Sequence, residues 1–133
     1  MDALYYRSNL ESFEHDGASR QPDLVEMADG SPFALAGLWE QWRDQAGEIV
    51  QTFTVLTTEP NELCAPIHDR MPVILARENW PAWLGEFDAS QDELLRILRP
   101  FPSHLMQAYR VDRRVGNVRN NDPGLLDEIA AAA

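Results

Sequence analysis

Apolar positions along this chain recur mostly two residues apart, in short runs cut by Gly, Pro and Asp, a pattern that predicts many short strands. Leu24-Val25-Glu26-Met27, then Asp29-Gly30, then Phe33 to Trp39 read as a β-hairpin, with Asp-Gly supplying the positive φ of a tight turn. Glu48 to Thr57 alternates as another strand, rich in Val, Thr and Phe. Pro60 to Cys64 reads as a short helical turn, and Met71 to Leu75 as a short strand. Glu78 to Leu84 reads as a short helix with Pro81 inside it. Ser90 and Glu93 form a capping box that opens a helix with Leu94, Leu95 and Leu98 as its stripe, and Pro100 stops it. Leu105 to Val111 is a strand, and Asp122-Pro123 opens a terminal helix that runs to Ile129. Residues 1–22 read as polar and irregular, and the Ala130 to Ala133 tail as frayed. Such a mixture predicts an α+β fold: a short-stranded mixed or antiparallel sheet with short peripheral helices, in one domain over 1–133 with its core in 23–129. Its expected core holds Leu35, Leu38, Val55, Leu56, Val73, Leu75, Leu95 and Leu98.

Composition narrows the function classes. The single Cys64 excludes an internal disulfide framework, and one Cys with three scattered His gives no zinc pattern, so neither metal nor cofactor is expected. No apolar run approaches the ~18 residues of a membrane span, and the polar N-terminus lacks a secretory core; a reducing cytoplasm is the expected compartment. The net charge of -11 argues against a general nucleic-acid binder. Arg110, Arg113, Arg114 and Arg119 nevertheless cluster with only Asp112 among them, either as a local DNA-binding patch or as a solvated strand edge.

Chemistry concentrates in Ile67-His68-Asp69-Arg70-Met71-Pro72. A carboxylate and a guanidinium beside an imidazole can tune it across neutral pH, whereas a His at a strand end can equally serve as a backbone cap. Arg70 lies two residues on, hence on the same face if the segment is extended; its structural alternative is a salt bridge to a nearby acid. Glu14 beside His15 is a possible acid/base pair. Thr57 ends a strand before the helical turn, where β-propensity alone explains it. Asn117, Arg119 and Asn120 can satisfy irregular backbone or reach phosphate. Trp39 and Trp42 can stack on unpaired bases, although hairpin and core packing is the commoner role. Trp80 and Trp83 read as core, and Cys64 as a buried small hydrophobe.

Together, His68-Asp69-Arg70-Met71-Pro72, Val115-Gly116-Asn117-Val118-Arg119-Asn120 and Pro32 to Trp42 (PFALAGLWEQW) resemble the SOS-response-associated peptidase (SRAP) family, from about Phe13 to Asp127. Members cross-link to abasic sites in single-stranded DNA. The resemblance implies a partial form of the family's β-barrel-like fold and a catalytic pair of His68 and Glu14, the latter in Ser12-Phe13-Glu14-His15 ahead of Arg20-Gln21-Pro22. It assigns DNA contacts to Arg70, Thr57, Arg114, Asn117 and Arg119, and places His68 and Thr57 close together with Glu14 near them. The family's nucleophile is an N-terminal Cys, exposed after removal of Met, whose amine and thiol form a thiazolidine with the abasic aldehyde. Here residue 2 is Asp2, so the resemblance is to roughly the C-terminal half or somewhat more of the domain. Three readings follow. The first is an SRAP protein of the DNA-damage response that binds abasic single-stranded DNA. The second is a catalytically inactive half-domain that pairs as a homodimer or with a complementing chain. The third is a small acidic binding module without DNA function.

Overall fold

A computed structural model describes residues 4–6 and 21–130 of the chain. By its internal contacts the chain divides into two compact units, Met1–Pro32 with Glu62–His68 and Ser103–Ala133, and Phe33–Asn61 with Asp69–Pro102. The architecture is α+β, built from short antiparallel strand pairs and a few short helices, as the alternation predicts.

In the first unit, β1 (Leu4–Tyr6), β2 (Asp23–Met27) and β9 (Met106–Arg110) form a three-stranded antiparallel sheet with β2 in the centre. Two expectations change here. Leu4–Tyr6 lies within the stretch read as irregular, yet it adds an edge strand in register with Asp23–Val25. The Asp29-Gly30 turn forms, with Gly30 at φ +68 and its N–H 2.9 Å from the Met27 carbonyl, but it closes no hairpin. β2 pairs instead with β9, Val25 opposite Ala108. Turn chemistry sets local dihedrals; the partner is chosen by burial, and Leu24, Val25 and Met27 find theirs with Met106 and Val111 in the buried set of this unit. Gln21 ties the start of β2 to the end of β9 through a 2.7 Å bond from its amide to the Val111 carbonyl.

The predicted terminal helix is only a 3₁₀ turn, Pro123–Leu126. Pro123 does occupy the first turn, but the Asp122 side chain makes no cap. Past it the chain is drawn extended: Val111 bridges Glu128, and the Ile129 N–H donates to the Arg110 carbonyl at 2.9 Å.

The second unit is organised around three strand pairs: β3 (Ala34–Leu35) with β8 (Ile74–Leu75), β4 (Gly37–Arg43) with β5 (Ile49–Val55), and β6 (Thr57–Thr58) with β7 (Met71–Pro72). Single residues separate consecutive strands, and those residues bond to one another in a ring. The Ala36 N–H donates to Val73, Val73 to Leu56, and Leu56 back to Ala36, each at 2.9 Å. A residue where a chain leaves one partner strand for another has no ladder of its own, and burying its amide unpaired would be costly. The ring meets that demand at the centre of the unit. Ala36 and Val73 are buried, and with Leu75 they form a cluster packed by Leu56, Trp80, Trp83, Ile97 and Leu98. Met71 to Leu75, read as one strand, is thus two strands hinged at Val73.

The helices of this unit follow the local signals. A 3₁₀ turn, Arg77–Asn79, leads into α1 (Trp80–Trp83), with Pro81 in its first turn. Both indole N–H groups are satisfied by backbone: Trp80 by the Leu75 carbonyl at 3.0 Å and Trp83 by the Gly37 carbonyl at 3.2 Å. α2 (Gln91–Ile97) opens with the complete capping box, Ser90 Oγ accepting from the Glu93 N–H and Glu93 accepting from the Ser90 N–H. Of the expected core, Val73 and Leu75 are buried, and Leu56 and Leu98 pack on the cluster. Leu38, Val55 and Leu95 are exposed instead. Leu38 and Val55 sit on the β4–β5 hairpin, which projects both faces outward, and Leu95 lies on the outer face of α2, where Leu94, Ile97 and Leu98 turn inward.

Candidate functional site

Arg70 immediately precedes β7, and Thr57 opens β6. The register pairs Thr57 with Pro72 and Thr58 with Met71, so Thr57 is the diagonal cross-strand neighbour of the position before Met71. Diagonal neighbours stand roughly 7–8 Å apart, within reach of an Arg but of few shorter side chains. The Arg70 guanidinium spans that gap. Its Nε lies 3.2 Å from Thr57 Oγ1, its Nη2 2.8 Å from the same hydroxyl and 2.9 Å from the Thr57 carbonyl. The Thr57 hydroxyl and carbonyl thus orient the fork, and the side chain is exposed. An oriented, exposed guanidinium suits planar, bidentate recognition of a phosphate or carboxylate.

His68 ends the turn that follows Glu62. Its N–H donates to the Cys64 carbonyl at 2.9 Å, and the Ile67 N–H to the same carbonyl at 2.8 Å. His68 belongs to the first unit, Thr57 and Arg70 to the second. Glu14, the expected carboxylate partner of His68, lies outside the described residues. Cys64 is buried, as its reading as a small hydrophobe requires, and burial pushes its thiol pKa up, away from the thiolate needed for nucleophilic attack. Among the described residues no cluster of three or more His, Cys, Asp or Glu side chains could hold a metal ion, and no helix is long and apolar enough to cross a membrane.

The basic stretch near the C-terminus is a self-supporting loop. Asp112 Oδ1 caps the 3₁₀ turn Arg113–Gly116 by accepting from the Arg114 N–H at 2.8 Å. Asn117 Oδ1 accepts from the Arg119 N–H at 3.1 Å, and the Asn120 amide donates to the Arg114 carbonyl at 2.7 Å. Both asparagines thus meet irregular backbone. Arg114 pairs with Asp122 at 2.7 Å, and Arg110 faces Asp23 in the β2–β9 register. Burial raises the Asp23 pKa, and Arg110 pulls it back down. Arg113 and Arg119 project from the loop as exposed cations. Asp122 was expected as a helix cap, and its role as the Arg114 partner left no sequence signal, because the eight-residue separation matches no local motif. Thr57 and Arg70 were each singled out, but their pairing, thirteen residues apart, depends on the β6–β7 register.

A profile of the family described as SOS response associated peptidase (SRAP) matches residues 6–118. The chain is 39% identical over 112 residues to the abasic site processing protein YoqW of Bacillus subtilis, a match covering 84% of this chain and 50% of YoqW. With the abasic site processing protein YedK of Escherichia coli it shares 23% identity over 128 residues, covering 96% of this chain and 57% of YedK. A crystal structure of a protein from Bacteroides thetaiotaomicron superposes with a TM-score of 0.74 at 31% identity, covering 88% of this chain and 52% of that one. The chain spans about half the length of the curated relatives it matches. The PFALAGLWEQW and His-Asp-Arg-Met-Pro segments, the SRAP-like α+β fold and these matches converge: the chain belongs to the SOS response associated peptidase family.

Proposed function

We propose that this chain binds single-stranded DNA at abasic sites as part of the DNA-damage response, and that Arg70, set by Thr57, is its phosphate contact. The observation that carries this reading is the oriented guanidinium at an exposed strand end in a chain whose relatives are abasic site processing proteins. Arg113 and Arg119 add exposed charge, Asn117 shapes the loop that presents Arg119, and Arg114 joins them by exchanging Asp122 for a phosphate. His68, with Glu14, serves proton transfer at the abasic aldehyde. The cross-linking step of the family needs an amine and a thiol on one residue, and the only thiol in these 133 residues is Cys64. These 133 residues by themselves therefore bind abasic DNA without forming a thiazolidine.

A titration of labelled single-stranded oligonucleotides, with and without a tetrahydrofuran abasic analogue, tests the reading. Tighter binding to the abasic strand than to the intact strand or a duplex is expected, weakened by Arg70→Ala. Equal weak binding to all three, unaffected by Arg70→Ala, would refute it. A second reading, an interaction module that pairs with another copy or a complementing chain, is favoured by the apolar side chains exposed on the β4–β5 hairpin.

A further inference from the structure

The β4–β5 hairpin is the least protected part of the described structure. Trp39 and Phe53 face each other across its strands at 73% and 83% exposure, with Ile49 and Val55 on the same face. Leu38 and Trp42 are exposed on the other. Among the described residues the hairpin is a two-stranded sheet on its own, and no strand pairs with the far edge of β5. Two-stranded ribbons are marginal alone in water, and proteins protect free edges with Lys, Pro, bulges or inward charges. β5 has none of these. Its seven residues, Ile-Val-Gln-Thr-Phe-Thr-Val, carry no charge, Pro or Gly.

We infer that the free edge of β5 pairs antiparallel with the same edge of a second copy of this chain, making a four-stranded sheet about a two-fold axis at Thr52. This deepens the interaction reading above and does not depend on DNA binding. Charge selects both the partner and the strand. The chain carries a net charge of -11, so two copies repel except where charge is absent, and β5 is uncharged over its whole length. β4 could not serve: a two-fold through its middle residue would set Glu40 against Glu40. Through Thr52, by contrast, every pair is compatible. Thr52 meets Thr52, Gln51 meets Phe53, Val50 meets Thr54 and Ile49 meets Val55, the isologous pattern of a closed dimer. The two Phe53 rings then become diagonal neighbours at roughly 7–8 Å, within aromatic reach. With Trp39 behind each, they line up as one aromatic row across the four strands.

Light scattering on the 133-residue chain is the test, with no DNA present, so that its failure and the failure of the DNA reading are separable. The expected species has twice the 15.1 kDa chain mass. Thr52→Glu sets two carboxylates on the axis and should raise the dimer dissociation constant at least tenfold while far-UV circular dichroism is retained. Should that variant unfold, Thr52→Cys decides independently. Mild oxidation should trap it as a disulfide dimer on a non-reducing gel, whereas the wild type, whose Cys64 is buried, stays uncross-linked. A monomeric wild type, a dimer indifferent to Thr52→Glu with no Thr52→Cys cross-link, open-ended growth, or association only when an oligonucleotide or another polypeptide is added would each overturn the proposal.

Discussion

Replacing Thr57 by Val isolates what orientation of Arg70 is worth. Val keeps the β-branched shape and strand propensity at this position, so β6 should persist. What disappears is the hydroxyl that accepts from Nε at 3.2 Å and Nη2 at 2.8 Å, leaving the Thr57 carbonyl at 2.9 Å. Hydrogen bonds to an exposed charged group are worth about 1 kcal/mol net, and an Arg side chain left free surrenders up to about 2 kcal/mol of rotamer entropy when it is immobilised on a ligand. Because the Thr57 carbonyl still holds Nη2, only about half of that entropy has to be spent at binding, so affinity for abasic single-stranded DNA should fall by about 1 kcal/mol, roughly fivefold. Arg70→Ala differs in kind. It removes a phosphate contact, so the slope of log K against log salt should fall by about 0.7 in addition to the loss in affinity. Fluorescence anisotropy at several salt concentrations separates the two: Thr57→Val shifts the line, Arg70→Ala shifts and flattens it. Wild-type affinity in Thr57→Val, alongside weakened binding in Arg70→Ala, would refute the positioning role.

Other consequences concern stability. Val73→Ala deletes two buried methyl groups beside the three-residue ring, at about 0.8 kcal/mol each plus a cavity cost, so unfolding should show a loss of about 2–3 kcal/mol and Tm should drop by roughly 7–10 °C. The Ser90 bonds lower the Glu93 pKa below the ordinary carboxylate value of 4.5, so this contribution is present above pH 4.5 and is lost as pH falls through the lower folded value; the stability gap between wild type and Ser90→Ala should narrow on acidification. Asp23 runs the other way, its pKa raised from 3.8 by burial, so the charged form is penalised as pH rises through the folded value. Asp23→Asn should stabilise the protein at neutral pH, with the gain vanishing below pH 3.8; a loss at neutral pH would mean that the Arg110 attraction outweighs burial.

The legible parts of this fold are those decided within a few residues. The Ser90–Glu93 box is complete because both partners lie on one helical turn. The strand read over Glu48–Thr57 holds only from Ile49 to Val55, since the chain leaves β4 at Leu56 and pairs Thr57–Thr58 with β7; the two α1 tryptophans pack against the core as read. Pairing was not legible. The Asp29-Gly30 turn is present, yet β2 joins a strand about eighty residues away, where Leu24 and Val25 are buried, while Ala34 and Leu35 of the expected hairpin pair with Leu75 and Ile74. The terminal helix yields to a bridge with Val111 for the same reason. Leu38, Val55 and Trp39 carry the apolar signature of core positions and are nonetheless exposed, since hydrophobic pattern specifies a face and not what covers it. In the site, residue types pointed to Arg70 and Thr57 individually, while their contact needed the β6–β7 register.

One sample tests both halves of the proposal, abasic-DNA binding and the absence of thiazolidine formation by these 133 residues. The 133-residue chain is incubated with a single-stranded oligonucleotide bearing a natural abasic site, then run on native and on heated denaturing gels, with His68→Ala alongside. A shifted band is expected on the native gel and no heat-stable adduct on the denaturing one. Borohydride should trap only a minor imine, formed by the N-terminal amine with loss of water and weakened by His68→Ala. A heat-stable adduct without reductant would overturn the second half and bring Cys64, buried as it is, back as the nucleophile; the absence of any native shift would overturn the first.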